Sequence, residues 1–184
     1  MSGNVPQSGY VNIDKTGIGG ETAVMVSLVV HALLGIATIW FTIASNPKIF
    51  SRPPNGPRFS VLEIAFWTIG VVSLPLCWYF NIKYVYEYSA NRFWGEGANW
   101  GQFISLGYAN PAAASASADY TIVNVLLLPL FTIVDGRRRG IRRPWLFFVS
   151  SLFTSCTFAF AFYFATVERQ HRHQQSSVGV DSPV

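Results

Sequence analysis

The stretch AAASASADYTIVNVLLLPLFTIVDGRRRGIRRPWLFFVSSLFTSCTFAFAFYFATV, residues Ala112–Val167, decides the fold. Two apolar runs, Ala112 to Val134 and Trp145 to Val167, flank a short loop that carries Arg137, Arg138, Arg139, Arg142 and Arg143. At a rise of about 1.5 Å per residue, each run is long enough to cross a hydrocarbon core about 30 Å thick. Two more such runs lie upstream, Ala23 to Ser45 and Val61 to Ile82. A charge at the centre of a span costs at least about 2.5–3.5 kcal/mol, so near-absence of charge within the runs is the expected mark of membrane helices. The expected fold is all-α, a polytopic membrane protein built as a bundle of four transmembrane helices.

Composition agrees. Of 184 residues, 51% are hydrophobic and 12% charged, against about 25% charged in an ordinary soluble domain. The four runs leave only short loops and tails, which gives one membrane domain over 22–169, a polar N-terminal arm over 1–21 and a C-terminal tail over 170–184 expected to be disordered. No basic segment leading into a short apolar core and a cleavage site precedes the first run, and Ser2 stands where N-myristoylation needs glycine. The net charge is +4. The basic residues flank membrane runs and no nucleic-acid motif accompanies them, so membrane lipids, not nucleic acid, are the expected partners. Cys77 and Cys156 lie inside runs and read as buried thiols, with no zinc-ligand spacing.

Loop charge sets the expected orientation. The first loop carries Lys48, Arg52 and Arg58, the third carries the five arginines, and the second balances Lys83 and Arg92 with Glu87 and Glu96. The positive-inside rule places the first and third loops in the cytoplasm and both termini on the non-cytoplasmic side. Arg169 and Arg172, after the last run, dissent from this. Pro53, Pro54 and Pro57 make the first loop a stiff, extended connection. The aromatic second loop is expected to hold a short interfacial helix around Trp100 to Gly107 and a turn at Asn110 and Pro111.

Few residues offer chemistry. Asp119 lies about two turns into the third run, where an ionisable side chain raises a functional hypothesis. Its plainer reading is structural, a carboxyl in an intramembrane polar cluster with Asn81 and Tyr163. Asn124 is a further polar group there, at a spacing that suits a different neighbour. His31, near the middle of the first run, is a weak candidate for a pigment metal, and otherwise an interhelical hydrogen-bond partner. Glu63 and Asp135, at one end of their runs, are placed to pair with the arginine loop. That loop (Arg137, Arg138, Arg139, Arg142 and Arg143), with Trp94 and Trp100 of the second loop, forms the candidate surface for lipid or a partner protein. Pro75 and Pro129 mark kinks, and Ser151, Ser155 and Ala159 form a small-residue stripe for close helix packing. No phosphate loop, nucleophile elbow or metal motif is present, so no cofactor is evident, and a bound lipid or pigment is left open.

Pro75 and Asn81, the N-P-x7-D pattern of Asn110, Pro111 and Asp119, and the DGRRRGIRRPW segment of Asp135–Trp145 are followed by an aromatic run ending at Arg169. Over about residues 75–169 this order resembles a family of small bacterial and algal integral membrane proteins catalogued only as a domain of unknown function. The resemblance implies a compact multi-helix membrane module with Asp119 as a signature position, and implies no activity.

Three functions compete. The first is a non-catalytic accessory or structural subunit of a larger membrane complex, such as a lipid-transport, photosynthetic or respiratory assembly. The second is an enzyme acting on a lipophilic, isoprenoid-like substrate with Asp119 as acid, which needs a carboxyl kept neutral by burial. The third is a small-solute carrier acting as an oligomer. Small size and the lack of catalytic motifs favour the first.

Overall fold

In the computed structural model, which describes residues 18–53, 56–88 and 100–178, the secondary structure is helical throughout. In chain order the helices are α1 (Ile18–Ser45), α2 (Pro47–Phe50), α3 (Val61–Tyr88), α4 (Trp100–Gly107), α5 (Pro111–Thr121), α6 (Leu128–Arg138), α7 (Trp145–Ser151) and α8 (Cys156–Val178). A π-helical segment, Ile122–Leu127, joins α5 to α6 into one continuous rod.

Among the described residues, three helices are long and apolar enough to cross a membrane: Leu28–Ser45, Val61–Tyr88 and Pro111–Arg138. This is the pattern of a multi-pass integral membrane protein. The expected fourth span does not form as one helix. It breaks at Leu152–Ser155 into α7 and α8, and the contacts of the two pieces show that the chain reverses there.

Along α7, Arg142 meets Asn46, Leu152 meets His31, and Phe153 and Thr154 pack on Gly35. Helix α7 is therefore antiparallel to α1. Along α8, Ser155 meets Ser73, Ala161 packs on Gly70, Phe162 on Trp67 and Arg169 on Glu63. Helix α8 is therefore antiparallel to α3. Because α1 and α3 themselves run in opposite directions, α7 and α8 form a hairpin, and Phe147 faces Phe162 across it at 5.0 Å between ring centres. Ser73, level with the tip, stands about 18 Å along α3 from its first residue, so the hairpin reaches roughly halfway up the bundle. Val178 ends at the same end of the bundle as the arginine loop. In place of the expected fourth continuous span, the described residues hold three helices long enough to cross a membrane and a half-depth hairpin.

The tip is a break without proline or glycine, and side chains make it tolerable. Backbone groups at such depth must be paired inside the protein. Ser150 Oγ donates to the Phe147 carbonyl, Ser151 Oγ to Phe148, and Thr154 Oγ1 to Ser150. Ser155 Oγ accepts from the Phe158 amide and so caps α8. The His31 ring bonds to the Leu152 carbonyl at 3.0 Å through Nε2, which must therefore carry the proton. The stripe of Ser151, Ser155 and Ala159 is thus split by the turn. Close helix approach is provided elsewhere, at Gly70, where a Cβ would lie 3.1 Å from Ala161 Cβ.

Helix α8 is the core. Phe158, Phe162, Tyr163 and Ala165 are buried, and Phe147 and Ile141 close the cluster. In lipid, apolar burial supplies little drive, and association rests on van der Waals packing and polar contacts. The outward faces of α1, α3 and the third rod carry the exposed apolar residues, among them Leu33, Ile36, Leu76, Leu126 and Leu130.

Two local expectations hold. Trp100–Gly107 is helical, and Asn110 caps α5 by accepting from the Ala113 amide, with Pro111 opening that helix. Two others need revision. Part of the first loop is helical at Pro47–Phe50. The last helix runs through Gln170 to Val178, held by Gln170 and Arg172 side chains that bond to the Arg139 and Pro57 carbonyls. Residues 1–17 of the N-terminal arm lie outside the described residues.

Candidate functional site

The basic end of the bundle holds the densest set of polar contacts, and it is built on the arginine loop. Helix α6 ends in a Schellman turn. The Gly140 amide donates to the Arg137 carbonyl at 3.0 Å and the Ile141 amide to Gly136 at 2.8 Å. Gly140 takes the left-handed conformation that this turn requires, φ 71°. Ile141 then plugs into the core at 3% exposure. The next residue is clamped by Asn46, whose Oδ1 accepts from the Arg142 amide at 2.7 Å while Nδ2 donates to the Arg142 carbonyl at 3.0 Å. Arg143 adopts φ 53°, an uncommon conformation for a side-chain-bearing residue. Pro144 is buried against Gly136 and leads into α7.

Of the five arginines, Arg139 is engaged. Its Nε donates to Asp135 Oδ2 at 2.6 Å, and the bonded carboxylate pushes its pKa above the ordinary guanidinium value. The same Asp135 oxygen accepts from the Tyr163 hydroxyl at 2.6 Å. Arg137, Arg138, Arg142 and Arg143 are exposed, with no ion pair among the described residues.

A second network ties α8 to the first loop. Ser60 caps α3 by accepting from the Glu63 amide, and its own hydroxyl donates to Glu168. The Glu63 carboxylate, 1% exposed, accepts from Arg169 at 2.6 Å and from Arg172 at 3.2 Å. Arg169 also donates to the carbonyls of Ile49, Phe50 and Ser51, and its guanidinium lies 5.4 Å from the centre of the Phe59 ring. Asp135 thus pairs with the arginine loop as expected, whereas Glu63 pairs with Arg169 and Arg172. Those two arginines, expected on the opposite side, belong to the basic end because the hairpin returns there. Among the described residues this end carries ten basic side chains against Glu63, Asp135 and Glu168.

The expected cluster of Asp119, Asn81 and Tyr163 is not formed. Tyr163 is fully buried against Asp135 at the basic end, because α8 descends from the tip instead of continuing upward. Asn81 is half-buried on α3, far along the helix from Tyr163. Asp119 is exposed on α5 and makes no hydrogen bond or ion pair among the described residues. His31 serves the hairpin tip and packs edge-on against Phe153. Among the described residues no group of three metal-ligating side chains is present. Trp94 lies outside the described residues, and of Trp100 only its place at the start of α4 is described.

One feature went unread in the sequence, and one residue named there takes a neighbour on its own helix. Ser155 and Thr154 before an apolar run are a helix-start signal that marks the hairpin tip. Asn124 is buried on the π segment, where its Nδ2 donates to Tyr120 and its Oδ1 has no partner among the described residues. The π register, with the Leu128 amide donating to the Val123 carbonyl, sits just before Pro129, which has no amide hydrogen to give.

Residues 65–169 match the family described as protein of unknown function DUF2834, and this chain belongs to that family. No curated protein and no solved structure matches the chain. The matched region holds the third rod, the arginine loop and the hairpin as far as Arg169. It excludes α1 and Glu63, both of which lock the hairpin in place.

Proposed function

We propose that the chain is a non-catalytic accessory subunit of a larger membrane assembly, docked through the outer part of its third span. The observation that carries this reading is Asp119. Its carboxylate is exposed on the outside of the bundle, and it precedes Asp135 by 16 residues, about 24 Å along a helix axis. With Asp135 at one boundary of a core about 30 Å thick, Asp119 falls inside the other boundary. A carboxylate facing lipid there is costly, and a neighbouring protein that offers a donor or a cation removes the cost. Polar side chains elsewhere in the bundle, His31, Ser73, Ser155, Tyr163 and Glu63, are occupied in holding the hairpin. The enzyme reading needs a buried, neutral carboxyl at Asp119, and its exposure weighs against that reading.

In this reading the basic end faces the cytoplasm, in keeping with the positive-inside rule. The C-terminal helix lies with it and the N-terminal end of α1 lies across the membrane. A photocrosslinker at the exposed Tyr120, in the native membrane, is expected to give one discrete protein adduct that disappears in Asp119→Leu while expression persists. Adducts to lipid alone would overturn the subunit reading.

A further inference from the structure

We infer that the arginine loop is a built binding site for the phosphate of an anionic phospholipid headgroup. Membrane orientation requires only positive charge near a span, and a flexible loop meets that need. This loop is instead held rigidly from three directions. Asn46 of α1 grips both backbone groups of Arg142, Gln170 of α8 donates to the Arg139 carbonyl, and Ile141 is buried in the core.

The rigid loop presents Arg137, Arg138, Arg142 and Arg143 outward, exposed and without acidic partners among the described residues. The fifth arginine, Arg139, is the one neutralised by Asp135. Arg143 is held in the left-handed region, a conformation that costs energy and persists where surrounding contacts over-determine it. Trp145, 46% exposed, stands two residues further on and has the amphipathic ring that favours the headgroup level. Planar guanidinium groups bind phosphate oxygens in pairs, which a point charge cannot reproduce. A phospholipid headgroup, lying at this depth beside an exposed tryptophan, suits the site better than a soluble anion.

The test uses the full chain in mild detergent, with retention of phosphatidylglycerol and phosphatidylcholine read by native mass spectrometry. The wild type is expected to keep phosphatidylglycerol selectively, and inorganic phosphate is expected not to displace it. Replacing the four free arginines by glutamine should weaken retention by about fivefold per arginine, the effect of one cation at an anionic surface. Replacing them by lysine keeps charge and orientation, yet should still weaken retention severalfold. Asn46→Ala, which changes no charge, should weaken it too, and the lysine variant decides the matter if Asn46→Ala fails to fold. Equal retention by the lysine variant would overturn the proposal and leave bare charge as the explanation; equal retention of both lipids would overturn it by showing that the anionic headgroup is not selected. Displacement by inorganic phosphate, or binding of an acidic protein without lipid selectivity, would overturn the assignment to lipid.

Discussion

The Glu63 carboxylate meets the Arg169 guanidinium at 2.6 Å across 106 residues of chain, with both groups almost fully buried. This contact joins the start of α3 to the returning arm of the hairpin and fixes the register of α8 against α3. A buried ion pair contributes little net stability over an apolar pair, but removing one partner strands the other charge. Glu63→Gln should therefore destabilise the folded protein by about 3–5 kcal/mol. Arg172→Gln should cost less than Glu63→Gln, because Arg169 remains to pair with the Glu63 carboxylate. The double variant Glu63→Gln/Arg169→Gln should recover part of the loss. Denaturant unfolding in detergent measures all three, and a Glu63→Gln protein as stable as wild type would refute the role given to this pair.

The hairpin makes a topological prediction. In a protein with Cys77 and Cys156 replaced by serine, single cysteines are placed at Arg143, Gln175 and Tyr108, all exposed positions. An impermeant thiol reagent should label Arg143→Cys and Gln175→Cys from one side and Tyr108→Cys from the other. Labelling of Gln175→Cys together with Tyr108→Cys would mean that the last segment crosses the membrane fully.

The tip offers a local test. Ser73 and Ser155 hydroxyls lie 2.9 Å apart, and Ser155 also caps α8. Ser155→Ala should cost about 1–2 kcal/mol through the lost cap and the lost interhelical bond. Ser73→Ala should cost less, since Ser73 can be replaced without uncapping a helix. The two should be non-additive, because either one breaks the shared bond. Additive losses in unfolding measurements would show that the hydroxyls are not coupled.

Much of this architecture was legible in the sequence, and what escaped has physical causes. Three spans, the short helix before the Asn110 cap and the basic end followed from apolar length, turn chemistry and charge. The hairpin was hidden because Trp145 to Val167 has the length and apolar character of a span, and Leu152–Ser155 contains no proline or glycine. Its tip is satisfied by serine and threonine hydroxyls, which are also tolerated inside ordinary membrane helices. The missed clue was Arg169 and Arg172. Their charge belonged with the arginine loop, and an even number of spans forced them to the wrong end. The outward facing of Asp119 escaped for a different reason. Helix α5 is rich in alanine and serine on every side, so no apolar stripe marks its inner face.

The DGRRRGIRRP segment yields the last prediction, because its two glycines answer to different constraints. Gly140 occupies the left-handed position of the Schellman turn, and nothing lies near its missing side chain. Gly140→Ala should therefore cost only the conformational penalty, about 1 kcal/mol. Gly136 has ordinary helical backbone but faces Pro144, and a Cβ there would stand 2.6 Å from Pro144 Cβ. Pro144 is buried and its ring is rigid, so the helix end and the loop would have to separate. Gly136→Ala should cost about 1–3 kcal/mol by overpacking, despite alanine's better helix propensity. Pro144→Gly removes the opposing Cβ. If the contact is the cause, Gly136→Ala should do less harm in a Pro144→Gly background than in the wild type. Equal harm in both backgrounds, measured by unfolding in detergent, would place the cause elsewhere than in the Gly136–Pro144 contact.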